Sequence, residues 1–151
     1  MAFDKAKIEN LVAEVRKAGL EVDLSPAGAS TESLLEVESK LGVTLPDDFK
    51  TFLREYGNIH VSGSYIAGVF NDDLTEESEG TVIFETLRFR EDSRTDPRPS
   101  FLVLSCEGNE WYMGIDTKDG RVLGYDALSQ EFTEQYTDFF EYLKSFLIDL
   151  V

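Results

Sequence analysis

His60 and Cys106 are the only histidine and the only cysteine of the chain, so a hydrolase of the Ser-His-Asp or Cys-His type would depend on them. Such chemistry needs a base within hydrogen-bond reach of its nucleophile. The sequence places His60 directly after a helical segment and Cys106 in a loop-like Ser-Cys-Glu-Gly setting. One histidine and one cysteine are what chance alone supplies. We therefore interpret His60 as an ordinary loop histidine and expect no catalytic pair.

Thirty acidic residues offer oxygen ligands and carboxylate pairs, but no motif organises them. Read back from Gly80 or Gly120, the acids fail the Asp-x-Asp-x-Asp-Gly register of an EF-hand loop. Structural zinc needs several Cys or His ligands. A chain this acidic forms carboxylate pairs in any fold, so they give no support for a glycosidase. We expect no metal, no cofactor and no enzymatic activity, with an enzyme using carboxylates alone as the alternative.

Charge is the most informative bulk property. Thirty acidic residues against 14 basic ones give a net charge of -16 and a pI near 4.3. Nucleic acid or an anionic membrane would be repelled, and the sequence has no basic patch to reverse that field. A basic protein partner would be attracted. The alternative interpretation is that the acidity serves solubility.

Aromatic and acidic residues suited to protein recognition cluster at the entry to a predicted hairpin and in an acidic loop. The predicted partner-binding residues are Tyr65, Asp72, Asp73, Glu76, Glu77, Glu79, Glu107, Glu110 and Trp111. Trp111 is the only tryptophan, and two interpretations stay open for it. It either packs in the core under the terminal helix or serves as a half-exposed anchor.

The first 57 residues carry apolar side chains at helical spacing, with glycine or proline at the ends of the stripes. These signals predict one helix that ends at Gly19, one from Ser30 or Thr31 to Gly42, and one from Pro46 to Gly57. A last helix is predicted after Tyr136.

Between these helices the spacing of apolar residues no longer fits a helix. Strands are predicted at 65–70, 101–104, 111–117 and 122–126, and Asp119-Gly120 favours a hairpin between the last two. The apolar residues of 81–91 fit neither helical spacing nor strand alternation cleanly, and we interpret this segment as a helix. Helices, then strands, then a helix indicate an α+β fold: N-terminal helices packed on a mainly antiparallel sheet with a C-terminal helix. One domain, 1–151, is expected.

The first ten residues carry charges where a secretory signal needs an apolar segment. No window reaches the roughly 18 apolar residues that span a bilayer, and one cysteine cannot form an internal disulfide. We expect a cytoplasmic monomer.

One segment resembles a known family. Residues 38–57 read Glu38-x-x-Leu41-Gly42-x-x-Leu45-Pro46-x-Asp48-Phe49-x-x-Phe52-Leu53-x-x-Tyr56-Gly57. This order is similar to the N-terminal signature of the SUKH superfamily, the Smi/Knr-like proteins. The likeness continues more loosely to a closing Phe139-Phe140-x-x-Leu143 helix and spans residues 30–150. Gly57-Asn58-Ile59 departs from the Asn-Gly or Gly-Gly that members often have there.

The resemblance implies an α+β fold and a function in protein binding. Bacterial members are taken to be immunity proteins that bind and neutralise polymorphic toxins, and fungal relatives are linked to regulation of cell-wall glucan synthesis. We therefore expect a non-enzymatic immunity protein that binds a basic toxin domain. The alternative is a regulatory or scaffold protein with an endogenous partner. The family's fold assigns no contact residues to this chain.

Overall fold

The computed structural model describes residues 3–24, 28–69, 80–92, 94 and 98–151. In these ranges the elements follow the order α1 (Lys5–Lys17), β1 (Val22–Leu24), α2 (Thr31–Leu41), α3 (Asp47–Tyr56), β2 (Ile59–Val61), β3 (Ser64–Ile66), α4 (Val82–Glu91), β4 (Phe101–Glu107), β5 (Trp111–Asp116), β6 (Val122–Asp126), β7 (Glu131–Tyr136) and α5 (Phe139–Ile148). The predicted α+β class is confirmed.

The helix ends lie close to the sequence signals. Ser30 caps α2, accepting the Ser33 N–H at 3.1 Å, and Gly42 ends it with a φ of 68° that glycine adopts without strain. Pro46 is the residue before α3 and not its first residue. The interpretation of 81–91 as helical is confirmed by α4, which Thr81 caps.

The strands form two antiparallel sheets, of order β1-β2-β3 and β4-β5-β6-β7. The predicted hairpin is confirmed, with Trp111 opposite Asp126 and Ile115 opposite Val122. Two local expectations were wrong. Cys106 lies within β4 and not in a loop, and His60 lies in the middle of β2, where its neighbours fix an extended backbone.

The four-stranded sheet is covered on both faces. One face joins the main core, where Phe139 of α5 packs against Phe49 and Phe52 of α3 at centroid distances of 4.9 and 5.1 Å. The other face packs around Phe89 of α4, whose ring lies 4.9 Å from that of Tyr112. Aromatic contacts of this kind add to the free energy of apolar burial. Both faces are therefore fixed in position relative to the helices.

Residues of the 38–57 signature hold the helices together. Glu38 accepts the backbone N–H of Leu45 at 2.7 Å across the α2–α3 connection. The carboxylate of Asp48 accepts the N–H of Phe49 at 2.8 Å and that of Phe140, at the start of α5, at 3.2 Å. Since the Asp48 bonds satisfy N–H groups at two helix N-termini and the Glu38 bond ties α2 to the connection before α3, the signature has a structural role.

Candidate functional site

Two adjoining clefts lie where the β2–β3 hairpin meets the four-stranded sheet. The first cleft, about 640 Å³, lies between this hairpin, β4, β5 and the C-terminal end of α5. The second cleft, about 530 Å³, lies between the hairpin and α4. Gly63, Tyr65 and Cys106 contribute to both linings. Each volume falls in the range of ligand or side-chain binding pockets.

The first cleft is aromatic and acidic. Its aromatic lining residues are Tyr65, Trp111, Tyr136, Tyr142 and Phe146, and its carboxylates are Glu107 and Asp149. The ring of Tyr142 lies 5.3 Å from that of Tyr136 and 6.4 Å from that of Phe146, so this wall is a continuous aromatic surface. None of the described lining residues is a lysine, an arginine or a histidine.

Trp111 is half-buried and lies over β6. A Cβ atom at Gly124 would be 2.2 Å from Cζ2 of Trp111, which no real structure tolerates. The absence of a side chain at Gly124 therefore lets the indole ring lie against the β6 backbone. Trp111 therefore forms part of the cleft wall, with its ring packed over the backbone at Gly124.

Tyr65 forms the wall between the clefts, and its hydroxyl group is held on two sides. It donates a hydrogen bond to Oε1 of Glu85 and accepts one from the N–H of Cys106 at 3.2 Å. Glu85 is only 1% exposed and also pairs with Arg88 at 3.1 Å. Burial, and then the bond to Glu85, raise the pKa of Tyr65 well above its usual value. The hydroxyl group is therefore a fixed donor at neutral pH.

The second cleft is more polar and contains the two residues that a Cys-His hydrolase would have used. His60 and Cys106 line it, together with Arg88, Asn58 and Asn109. Burial raises the pKa of the Cys106 thiol. The thiolate is the nucleophilic form, so this shift makes it scarce at neutral pH.

The structure brings together three of the predicted binding residues. Tyr65, Glu107 and Trp111 line the first cleft. Glu110 is exposed in the β4–β5 turn, next to Trp111 in sequence but outside the cleft lining. The remaining five, Asp72, Asp73, Glu76, Glu77 and Glu79, lie outside the described residues.

Several lining residues had escaped prediction from the sequence. Tyr142 and Phe146 lie four residues apart on one face of α5, and this spacing is the same for a core stripe and for a cleft wall. Glu85 and Arg88 lie three residues apart on α4, a spacing that allows an ion pair but does not place it beside Tyr65.

Within the described ranges, no three His, Cys, Asp or Glu residues are grouped so that they could hold a metal ion. None of the helices in the described part of the chain is long and apolar enough to cross a membrane.

Comparison with known protein families identifies the family of this chain. The family model SUKH_5, described as SMI1-KNR4 cell-wall, matches residues 8–148. The chain belongs to this family, as the resemblance of residues 38–57 predicted. No curated protein matches the chain.

Proposed function

We propose that this protein is a non-enzymatic binding domain that acts as an immunity protein: it binds a basic toxin domain and neutralises it by occlusion. The observation that carries the proposal is the first cleft, an aromatic surface flanked by carboxylates in a chain of net charge -16. Its fixed aromatic walls supply anchoring area, and the overall charge supplies attraction to a basic surface.

The energetics of protein interfaces support this role. A few buried aromatic residues commonly carry most of the binding free energy, and surrounding charges set the association rate. A standard interface covers about 800 Å² on each partner. The first cleft with the exposed β4–β5 turn beside it provides anchors for such an interface.

The protonation states of Cys106 and Tyr65 support binding without chemistry. The pKa of Cys106 is raised by burial, and that of Tyr65 is raised by burial and by Glu85. Both groups are therefore protonated at neutral pH, so neither is a ready nucleophile or base.

A second candidate function is regulation of cell-wall synthesis through an endogenous partner. The family description names the cell wall, and this wording is the reason to keep regulation as a candidate. A binding cleft would serve a regulator as well as an immunity protein. The two candidates differ in the partner and in what happens to it.

The test is capture of the partner, followed by an activity assay. The full chain is used as bait in a lysate of its source organism, with Trp111→Ala as the cleft variant. The matched control is Glu32→Gln/Glu36→Gln, since these glutamates are exposed on α2, which supplies no described residue to either cleft. We expect one basic protein to be retained by the wild type and the control and lost from Trp111→Ala.

The captured protein then decides between the candidates. An immunity protein abolishes the toxic activity of the purified partner at equimolar ratio. A partner from cell-wall synthesis, with no toxic activity, supports regulation and argues against immunity. Equal capture by the wild type and Trp111→Ala would remove the first cleft from the proposed mechanism.

A further inference from the structure

The first cleft is electrostatically complementary to a cation. Its lining combines five aromatic residues with the carboxylates of Glu107 and Asp149, and none of its described residues is basic. Aromatic rings attract cations through the negative potential of their faces, and the attraction grows when water is partly excluded. Both carboxylates belong to exposed residues, so they can pair with an arriving group.

The second cleft has a different character although it shares Tyr65. Its lining includes Arg88 and His60. Arg88 pairs with the buried Glu85, and this pair leaves no excess negative charge in that part of the wall. A cation is therefore favoured in the first cleft and not in the second.

We propose that the first cleft binds the guanidinium group of an arginine side chain that the protein partner inserts, with Trp111 and Tyr65 as the stacking surfaces and Glu107 and Asp149 as the counter-charges. This inference rests on the proposed function and names the chemical group by which the partner is recognised.

Arginine fits these walls better than lysine. Its guanidinium group is planar, stacks on aromatic rings, pairs with carboxylates through two parallel hydrogen bonds and is more weakly hydrated than an ammonium group. The volume of about 640 Å³ also leaves room for the residues that flank the inserted side chain.

The walls are preorganised for such a group. Tyr65 is held through its hydroxyl group by Glu85 and the N–H of Cys106, and the ring of Trp111 packs over Gly124. Rings that are fixed before binding lose little conformational entropy on binding.

The experiment titrates the full chain with N-acetylarginine amide and with N-acetylcitrulline amide, which has the same shape without the charge. Trp111 is the only tryptophan, so its fluorescence and its single indole N–H signal report on the first cleft. We expect a saturable change with the arginine probe and binding at least about fivefold weaker with citrulline. Equal binding of the two probes, or tighter binding of N-acetyllysine amide, would overturn the assignment.

Matched variants separate the cleft from the overall charge. Glu107→Gln/Asp149→Asn and Glu32→Gln/Glu36→Gln each remove two negative charges at exposed positions, and circular dichroism checks that each variant folds. The dissociation constant for the arginine probe should rise about fivefold in the cleft variant only. An equal rise in both variants would assign the effect to net charge and sink the proposal.

The titration needs no partner, so its failure is distinguishable from failure of the proposed function. No saturable arginine binding, with partner capture intact, overturns the arginine site and leaves the binding function. Saturable arginine binding with no captured partner supports the site and removes the immunity function. Self-association that is lost in Trp111→Ala, measured by sedimentation, would assign the cleft to a second copy of the chain and overturn the proposal.

Discussion

The hydroxyl group of Tyr65 joins three elements, since it lies on β3, donates to Glu85 of α4 and accepts from the N–H of Cys106 on β4. Tyr65→Phe keeps the ring but leaves a half-buried backbone N–H and a buried carboxylate with one partner fewer. We expect a loss of about 1–3 kcal/mol in the free energy of unfolding, measured by urea denaturation.

Tyr136→Phe is the control for this measurement. Its hydroxyl group makes one bond to the hydroxyl group of Ser145, at 3.1 Å, in a half-buried position. The expected loss is about 0.5–1.5 kcal/mol. A Tyr65→Phe protein that is no less stable than Tyr136→Phe would show that the network around Glu85 contributes nothing beyond an ordinary hydrogen bond.

The raised pKa of Tyr65 predicts how the free energy of unfolding changes at alkaline pH. Burial raises the pKa of Tyr65 above the usual 10.0, so the folded state keeps a proton that the unfolded state loses near pH 10. This contribution to stability is complete below pH 10 and is lost as the pH rises through the folded pKa. Between about pH 9 and about pH 11, Tyr65→Phe should therefore lose less stability than the wild type. Parallel losses in urea titrations would contradict this.

At the residue scale, part of the cleft could be predicted. Tyr65, Glu107 and Trp111 were selected because aromatic and acidic side chains serve recognition, and they do lie in one cleft. Tyr142 and Asp149 were missed because the first cleft joins α5 to a distant hairpin, and sequence spacing within α5 says nothing about what it faces.

At the element scale, Asp48 joins two helices by accepting the N–H groups of Phe49 and Phe140. Asp48→Ala should cost about 1–2 kcal/mol of unfolding free energy, because two helix N-termini each lose an acceptor. Asp47→Ala is the matched control: Asp47 lies in the same first turn, feels the same helix dipole and is exposed. Chemical denaturation measures the unfolding free energy of both variants. Equal losses would show that Asp48 acts only through the helix dipole and not through its two hydrogen bonds.

The sequence predicted those elements whose ends are marked by a capping residue or a turn residue. Ser30 and Gly42 bound α2, and the Asp-Gly turn gave the β5–β6 hairpin. The strands β1 and β2 have three residues each, too few to show alternation. β7 was missed because it is polar and mostly exposed, as suits the outer strand of a sheet.

At the scale of the whole molecule, the net charge of -16 affects how fast a basic partner arrives more than how long it stays. Between about 0.01 M and about 0.15 M salt the screening length falls from about 30 Å to about 8 Å. The association rate constant with a captured basic partner should fall at least about tenfold over this range, by stopped-flow measurement.

The dissociation rate constant provides the contrast. Trp111→Ala should raise it with little effect on association, because an anchor acts after the encounter. A salt-independent association rate constant would remove electrostatic steering from the proposed mechanism.

Tyr65 and Cys106 line both clefts, so one partition separates an acidic, aromatic space from a more polar one. Because Glu85 and the N–H of Cys106 hold the hydroxyl group of Tyr65, this partition keeps its place whichever cleft is occupied. One tyrosine side chain thus serves two clefts of different charge, and a substitution at this position alters both of them.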